Sequence, residues 1–340
     1  MNGLRIAVIG AGSFGRHHVR VLSQLAEVQL VGVVDQEIER AQLLARGLDV
    51  RAFQDPEEVL GAIDAAIVAT PTNTHEAVAS RLLRTGVDVL VEKPIADSVI
   101  AAERLTRLAQ AQGRVLQVGH LERFNPAVLA LERAMTIPLF FEVHRLSVFS
   151  QRSLDVDVVL DLMIHDLDIV LHLTQEVPHE IRAAGISVLS PRVDIANVRL
   201  AFASGCVANL TASRVSTERV RKLRLFQPHQ YISLDYARQD ATLVSVQIPD
   251  GSGTDGAVGP SGHIQPEIAF SSLPTEKGEP LQLELASFVR AVRERRTPAV
   301  DGQQATNALR VAESIVAKIK EHGELVKQSV RRSMKIEQPL

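Results

Sequence analysis

The six residues Gly10-Ala11-Gly12-Ser13-Phe14-Gly15 constrain this chain more than any other segment. They follow an apolar, β-branched run at 4–9 and open a stretch, 13–25, whose apolar residues recur at helical spacing. In that setting G-x-G-x-x-G joins a buried strand to a helix. The first glycine permits a tight turn, the second lets backbone approach a pyrophosphate, and the third lets helix and strand pack closely. The helix N-terminus then presents N–H groups and a partial positive charge to the phosphates. Gly10, Gly12, Ser13, Phe14 and Gly15 are the expected cofactor loop.

The second strand, 28–34, ends at Asp35, 20 residues beyond Gly15. A carboxylate there accepts hydrogen bonds from both ribose hydroxyls and repels a 2′-phosphate, and Gln36-Glu37 supplies no arginine to receive one. NAD is therefore expected over NADP. The competing reading is a glycine-rich turn with a solvated aspartate, which the strand–helix–strand context disfavours.

The same alternation continues, with strands expected at 65–69, 87–91 and 115–118 and helices at 37–46, 74–84 and 98–112. Strands bounded in this way are buried on both faces, which predicts a parallel sheet wrapped by helices. The pattern changes after Gly119. A helix near Asn125-Pro126, a strand at 139–148 and a helix over 156–174 precede extended segments at 180–188, 193–203, 206–213, 221–226, 231–236 and 242–248. Consecutive strands predict a large, mainly antiparallel sheet. A small-residue stretch at 251–262 reads as a loop, and helices at 281–295 and 302–321 close the fold. The expectation is an α/β Rossmann domain over 1–121, an α+β domain with an open sheet over 122–325, and a basic tail, 326–340.

Composition excludes several function classes. A net charge of −3 offers no basic surface for nucleic acid. Cys206 is the only cysteine, so neither an intrachain disulfide nor a multi-cysteine metal cluster can form, and a reducing compartment is expected. No apolar run is long enough to cross a membrane or to serve as a signal-peptide core, which points to the cytoplasm.

Two groups of residues suggest chemistry. Glu92-Lys93-Pro94 follows the strand at 87–91, at the carboxyl edge where open α/β sheets bind ligands. Lys93 there can hydrogen-bond a substrate hydroxyl, with Glu92 orienting it or the nicotinamide ribose; a solvated lysine at a turn is the plain alternative. The second group is Asp161-Leu162-Met163-Ile164-His165-Asp166-Leu167-Asp168. On a helix Asp161 and His165 are neighbours at i, i+4, and such a carboxylate fixes the tautomer of a general base. A metal pair or a polar interhelical contact are the rivals, and no further His/Cys cluster completes a metal site.

Taken together these motifs resemble the glucose–fructose oxidoreductase / inositol dehydrogenase / MocA family. The matching pieces are the glycine loop, Asp35, Ala69-Thr70-Pro71 with His75, Glu92-Lys93-Pro94, and Asp161-x-x-x-His165, in the family's order. The resemblance implies a Rossmann domain followed by an open-sheet domain, with nicotinamide at the cleft between them. It implies proton transfer by Lys93, Asp161 and His165, a cis Lys93–Pro94 bond, and cofactor contacts from Thr70, Pro71, Asn73, His75, Glu92 and Lys93. His165 is read as general base and Lys93 as the group polarising the reacting oxygen, with the reverse division open.

A narrower resemblance concerns the substrate. Gly119-His120-Leu121-Glu122-Arg123-Phe124-Asn125-Pro126 and Ser213-Arg214-Val215-Ser216 look like the branch of the family that oxidises the 3-hydroxyl of UDP-N-acetylglucosamine. That places Lys93, Arg123, Asn125, His165 and Arg214 near the sugar. Independently, Arg214, Arg219, Arg221, Lys222 and Arg224 can neutralise a diphosphate, or they can be the exposed face of a strand or a subunit contact. The expected partners are a sugar or nucleotide sugar, a downstream aminotransferase, and further copies of the chain, as a dimer or tetramer through the open sheet; nucleic acid and membrane are not expected. A free sugar, an inositol or a uronic-acid nucleotide sugar are alternative substrates, and a non-catalytic NAD sensor is the alternative function.

Overall fold

The computed structural model describes residues 3–149, 156–247 and 267–336; the loop expected at 251–262 lies outside them. In the first part of the chain, alternation of short apolar runs and amphipathic segments becomes β1 (Leu4–Ile9), α1 (Ser13–Leu22), β2 (Val28–Val34), α2 (Ile38–Ala45), β3 (Arg51–Phe53), β4 (Ala65–Val68), α3 (His75–Arg84), β5 (Asp88–Glu92), α4 (Val99–Ala111) and β6 (Leu116–Gly119). The strands form one parallel sheet in the order β3-β2-β1-β4-β5-β6. Every residue of β4 and β6 is buried, as strands covered on both faces require. β3 was not foreseen, because three residues are too few to show a period. The order reverses between β1 and β4, which opens a crevice at the carboxyl ends of these two neighbours.

The next stretch contains α5 (Pro126–Ala134), β7 (Phe140–Val148), α6 (Ile164–Thr174) and β8 (Glu180–Ile186), β9 (Ile195–Ala201), β10 (Val207–Ser216), β11 (Val220–Gln227), β12 (Gln230–Asp235), β13 (Asp240–Gln247) and β14 (Glu267–Ser272). They form an eight-stranded sheet ordered β14-β13-β12-β11-β7-β10-β9-β8. β7 and β10 pair in parallel; all other pairs are antiparallel. Period-two alternation sorts the strands into two faces. Phe141, Val143 and Arg145 of β7 sit opposite Leu225, Leu223 and Arg221 of β11 on the side that α6 joins through Arg145. Glu142, His144, Lys222 and Arg224 take the other side. The expected mainly antiparallel α+β architecture is thus observed.

The chain closes with α7 (Pro280–Glu294) and α8 (Gly302–Ile336). It groups into two compact units: residues 1–124 with 278–311, and residues 125–277 with 312–340. The return of 278–311 to the first unit is a feature that a division made along the chain does not contain. In that unit Leu285, Phe288, Val289 and Val292 of α7 share one buried cluster with Ile6, Val8, Val19 and Leu22. The end expected for the last helix, at residue 321, gives way to continuation up to Ile336, into the expected tail. Gly323 does not stop it, and a Cβ there would meet open space.

Candidate active site

Four segments stand at the carboxyl edge of the first sheet. After β1, Gly10 takes φ +104°, and a Cβ on it would lie 2.5 Å from the Ala69 carbonyl oxygen. Only glycine combines that backbone with such an approach. A Cβ on Gly15 would lie 1.8 Å from the Gly10 oxygen, so α1 can sit on β1 only without a side chain here. A Cβ on Gly12 meets nothing within 4 Å. Gly12 is the N-cap of α1 and provides no side-chain cap, and Ser13 and Phe14 are exposed. The first-turn N–H groups therefore face free space where an anion fits.

At the end of β2, Asp35 Oδ2 accepts the Ala11 N–H at 2.7 Å and Oδ1 accepts the Glu37 N–H at 2.9 Å. These bonds aim the carboxylate at the glycine turn. A carboxylate offers roughly four acceptor positions, so two remain for a ribose diol. Turn, helix terminus and carboxylate together fit an adenine dinucleotide.

After β4, Thr70 is half-buried while Pro71 and Asn73 are exposed. His75, at the start of α3, is 1% exposed, with Nδ1 2.9 Å from the Pro94 carbonyl and Nε2 2.8 Å from that of Thr70. Burial holds its pKa below the usual imidazole value despite these two carbonyls. His75 thereby ties the β4 turn to the segment after β5, and any influence on a cofactor passes through Thr70 and Pro94. The Lys93–Pro94 bond is cis.

Glu92 turns its carboxylate inward. Oε1 lies 2.7 Å from Nε2 of His18, and Oε2 accepts the Lys93 backbone N–H at 3.3 Å. His18 escaped the sequence reading. Its signal was available, since it lies at i, i+3 from Gly15 on the inner stripe of α1, with Val19 and Leu22.

In the second unit, Asp161 and His165 do not share a regular helix, as the i, i+4 spacing suggested. Val159–Met163 form a π-helical turn, and α6 begins only at Ile164. Such single turns widen a helix by one residue and recur at functional sites. Both side chains are half-buried, whereas Asp166 and Asp168 are buried. Asp166 accepts a bidentate pair from Arg145, Nε to Oδ2 at 2.7 Å and Nη2 to Oδ1 at 2.9 Å. The Arg145 guanidinium also stands 5.1 Å from the centre of the Tyr236 ring. This buried pair pins the first turn of α6, and hence His165, to the sheet. Arg145 was missed in the sequence although it shares the parity of Phe141 and Val143, where a charge requires a partner.

The residues expected at the sugar are held by protein atoms. Arg123 is buried, and Nη2 donates to the Ala299 carbonyl at 3.1 Å and to Gln304 Oε1 at 3.2 Å. Asn125 caps α5, with Oδ1 accepting the Ala127 N–H at 3.1 Å, while Nδ2 donates to the Tyr236 carbonyl at 3.1 Å. Arg214 is buried against the Val156 and Val193 carbonyls, with Nε 3.7 Å from Asp194. Direct substrate contact by these three competes with those bonds. Nor do the basic residues form one cluster. Lys222 and Arg224 alternate outward, with Arg224 on Glu142 at 3.1 Å, whereas Arg221 shares the face of Arg145. Among the described residues no three His, Cys, Asp or Glu side chains are grouped to hold a metal, and no helix is long and apolar enough to cross a membrane.

Comparison with known proteins gives a consistent result. Residues 4–120 match the family described as "Oxidoreductase family, NAD-binding Rossmann fold", and residues 134–227 match the "GFO/IDH/MocA C-terminal domain". The chain is 35% identical over 310 residues to UDP-N-acetylglucosamine 3-dehydrogenase of Acidithiobacillus ferrooxidans, covering 91% of this chain and 95% of that protein. It is 27% identical to inositol 2-dehydrogenase of Rhizobium meliloti, over 94% and 97% of the two chains. The solved structure of the Acidithiobacillus enzyme superposes with a TM-score of 0.84 at 33% identity, covering 95% of this chain and 99% of the other. An oxidoreductase from Agrobacterium radiobacter, solved with NAD+, L-tartaric acid and magnesium, shares the fold at 17% identity, with a TM-score of 0.79 over 94% and 97% of the chains.

Proposed function

This chain belongs to the GFO/IDH/MocA family of NAD-binding oxidoreductases, and from that premise we propose that it oxidises the 3-hydroxyl of UDP-N-acetylglucosamine to the 3-keto sugar. The observation that carries the reading is the likeness to the Acidithiobacillus enzyme, which runs through both units rather than the cofactor domain alone. Lys93 supports it, since it follows β5 at the same sheet edge as the glycine loop and Asp35.

Bound NAD supplies the hydride acceptor. When the hydride leaves the carbinol carbon, the hydroxyl proton must leave as well, and a side chain has to take it. His165 receives that proton, with Asp161 supporting the imidazole, and the Lys93 ammonium polarises the reacting oxygen. Arg221, a basic residue on the inner face of the sheet, is the candidate for the diphosphate. Oxidising an isolated secondary alcohol with NAD is uphill at neutral pH, so the keto sugar feeds a consuming step such as transamination. The chain self-associates through the sheet face opposite α6, where Phe140, Phe226, Tyr231, Val244 and Phe270 form an apolar row across five strands.

The test is mass spectrometry of UDP-sugars and free inositols after incubation with enzyme, NAD and a carbonyl-trapping amine. The expected product is the amine adduct, formed with loss of water, of a keto sugar two hydrogens short of UDP-N-acetylglucosamine. Inositol oxidation without nucleotide-sugar oxidation overturns the substrate, and no NADH from any of them overturns the enzyme reading.

A further inference from the structure

Two polar side chains pair inside the first unit at the end of β5, just before Lys93, and a third lies near enough to feel the charge of Glu92. Glu92 reaches inward from the end of β5 to His18, on the inner face of α1, with 2.7 Å between Oε1 and Nε2. His18 is 1% exposed and the Glu92 side chain 12%. On the neighbouring strand a Cβ at Gly119 would come within 3.1 Å of Glu92 Oε2, so β6 leaves room for the carboxylate by having no side chain there. From α7 comes Glu284, 1% exposed, whose charged form would face that of Glu92. Gln117 of β6 is fully buried and donates from Nε2 to the Glu284 backbone carbonyl at 3.2 Å.

Two carboxylates close together and largely withdrawn from water do not both ionise. Burial, reinforced by the charge of Glu92, pushes Glu284 well above the usual carboxylate range, so it keeps its proton at neutral pH. Burial also opposes ionisation of Glu92. There the His18 hydrogen bond, the charge of Lys93 and the Lys93 N–H outweigh it and hold Glu92 below its usual value. Among the described residues His18 Nδ1 is buried and makes no hydrogen bond. A proton on Nδ1 would be an orphaned donor, which assigns the His18 proton to Nε2, donating to Glu92. Of the other titratable groups nearby, His75 of α3 feels both Glu92 and Asp97, and burial keeps it neutral.

We propose that His18, Glu92 and Glu284 act as one buried unit that holds a single negative charge, on Glu92, behind Lys93, with His18 and Glu284 as positioning residues. The proposal rests on the reading of Lys93 as the group that polarises the substrate oxygen. The fixed charge keeps the lysine in its ammonium form. The His18–Glu92 bond also ties α1, whose N-terminus carries the glycine loop, to the lysine segment, so cofactor loop and lysine hold one register.

Two measurements need no substrate. In full-length protein with 15N-labelled histidine, His18, identified by its loss in His18→Gln, should carry its proton on Nε2 alone at neutral pH. A ring protonated on Nδ1 or on both nitrogens overturns the assignment. Infrared spectra should show the C=O stretch of a buried protonated carboxyl that disappears in Glu284→Gln and titrates at lower pH in Glu92→Gln. Absence of that band overturns the unit. In turnover, His18→Phe should lower kcat about tenfold to a hundredfold with the KM for NAD little changed, because misplacement of a catalytic group by an ångström costs up to that much. His18→Gln, which keeps a donor near the position of Nε2, should recover most of the loss. Equal kcat in wild type and both variants, with only melting temperature lowered, reduces His18 to a packing residue. Failure of the wild-type enzyme to oxidise any sugar defeats the functional reading instead, while the NMR and infrared outcomes still decide the charge unit.

Discussion

Replacing Gly12 by alanine separates cofactor binding from folding. Gly12 sits at φ −74° and ψ −162°, a conformation open to alanine, and the new methyl would meet no atom within 4 Å. Alanine is a poorer N-cap than glycine, but it also reduces the freedom of the unfolded chain; the two effects oppose and leave a net change below about 1 kcal/mol. The cofactor-free protein should therefore melt within about 4 °C of wild type. NAD affinity should fall at least about tenfold, or 1.4 kcal/mol, because the methyl occupies the space kept for the pyrophosphate. Gly15→Ala is the contrast. Its Cβ would stand 1.8 Å from the Gly10 oxygen, so α1 must move off β1. Overpacking of that kind costs about 1–3 kcal/mol or more, and the cofactor-free protein itself should be destabilised. Thermal melts without NAD, paired with calorimetric NAD titrations, read both quantities. A Gly12→Ala protein that binds NAD as wild type does would refute the assignment of the open space.

Asp35→Ala should weaken NAD binding and narrow the preference over NADP, checked by titrating both cofactors; equal affinity for both in the unmutated protein refutes the carboxylate argument. Lys93→Ala and His165→Ala should each reduce turnover about a hundredfold to ten-thousandfold with NAD binding retained, and the double variant should lose less than the product, read by steady-state kinetics. Asp166→Asn leaves Arg145 charged and buried, and should cost about 3–5 kcal/mol in chemical denaturation, whereas Arg145→Met with Asp166→Leu should recover most of that loss. Asp194 is fully buried, and although burial alone would raise its pKa, the Ser190 hydroxyl and the N–H groups of Leu189, Val188 and Ser190 lower it to about 2. A depressed pKa stabilises the fold above the unfolded value of 3.8, and the contribution, about 2 kcal/mol, is lost as pH falls from about 4 to 2; Asp194→Asn should flatten stability over that window.

Much of the cofactor half was legible in the chain because its signals are local. The glycine spacing, the strand before it and Asp35 lie within 32 residues, 4 to 35, and one βαβ unit brings them together. The switch from alternating elements to consecutive strands likewise announced an antiparallel sheet. β3 escaped because three residues carry too little periodicity, and α8 runs beyond its expected end at 321 because Gly323 costs a long helix only about 1 kcal/mol.

What the sequence determined by itself is the class of fold, the glycine turn between β1 and α1 and the segments that carry Lys93, Asp161 and His165, since each depends on neighbours a few residues apart. Tertiary structure alone decided what those side chains face. It brought α7 back to the first sheet, so that Glu284 lies near Glu92 across nearly two hundred residues, and it set Arg145 of β7 against Asp166 of α6. It also turned Arg123, Asn125 and Arg214, all plausible ligands by residue type, into buried anchors. A charged or amide group reads the same in a sequence whether it meets a ligand or a carbonyl. Burial decides between them, because a polar atom removed from water must find its partner within the fold.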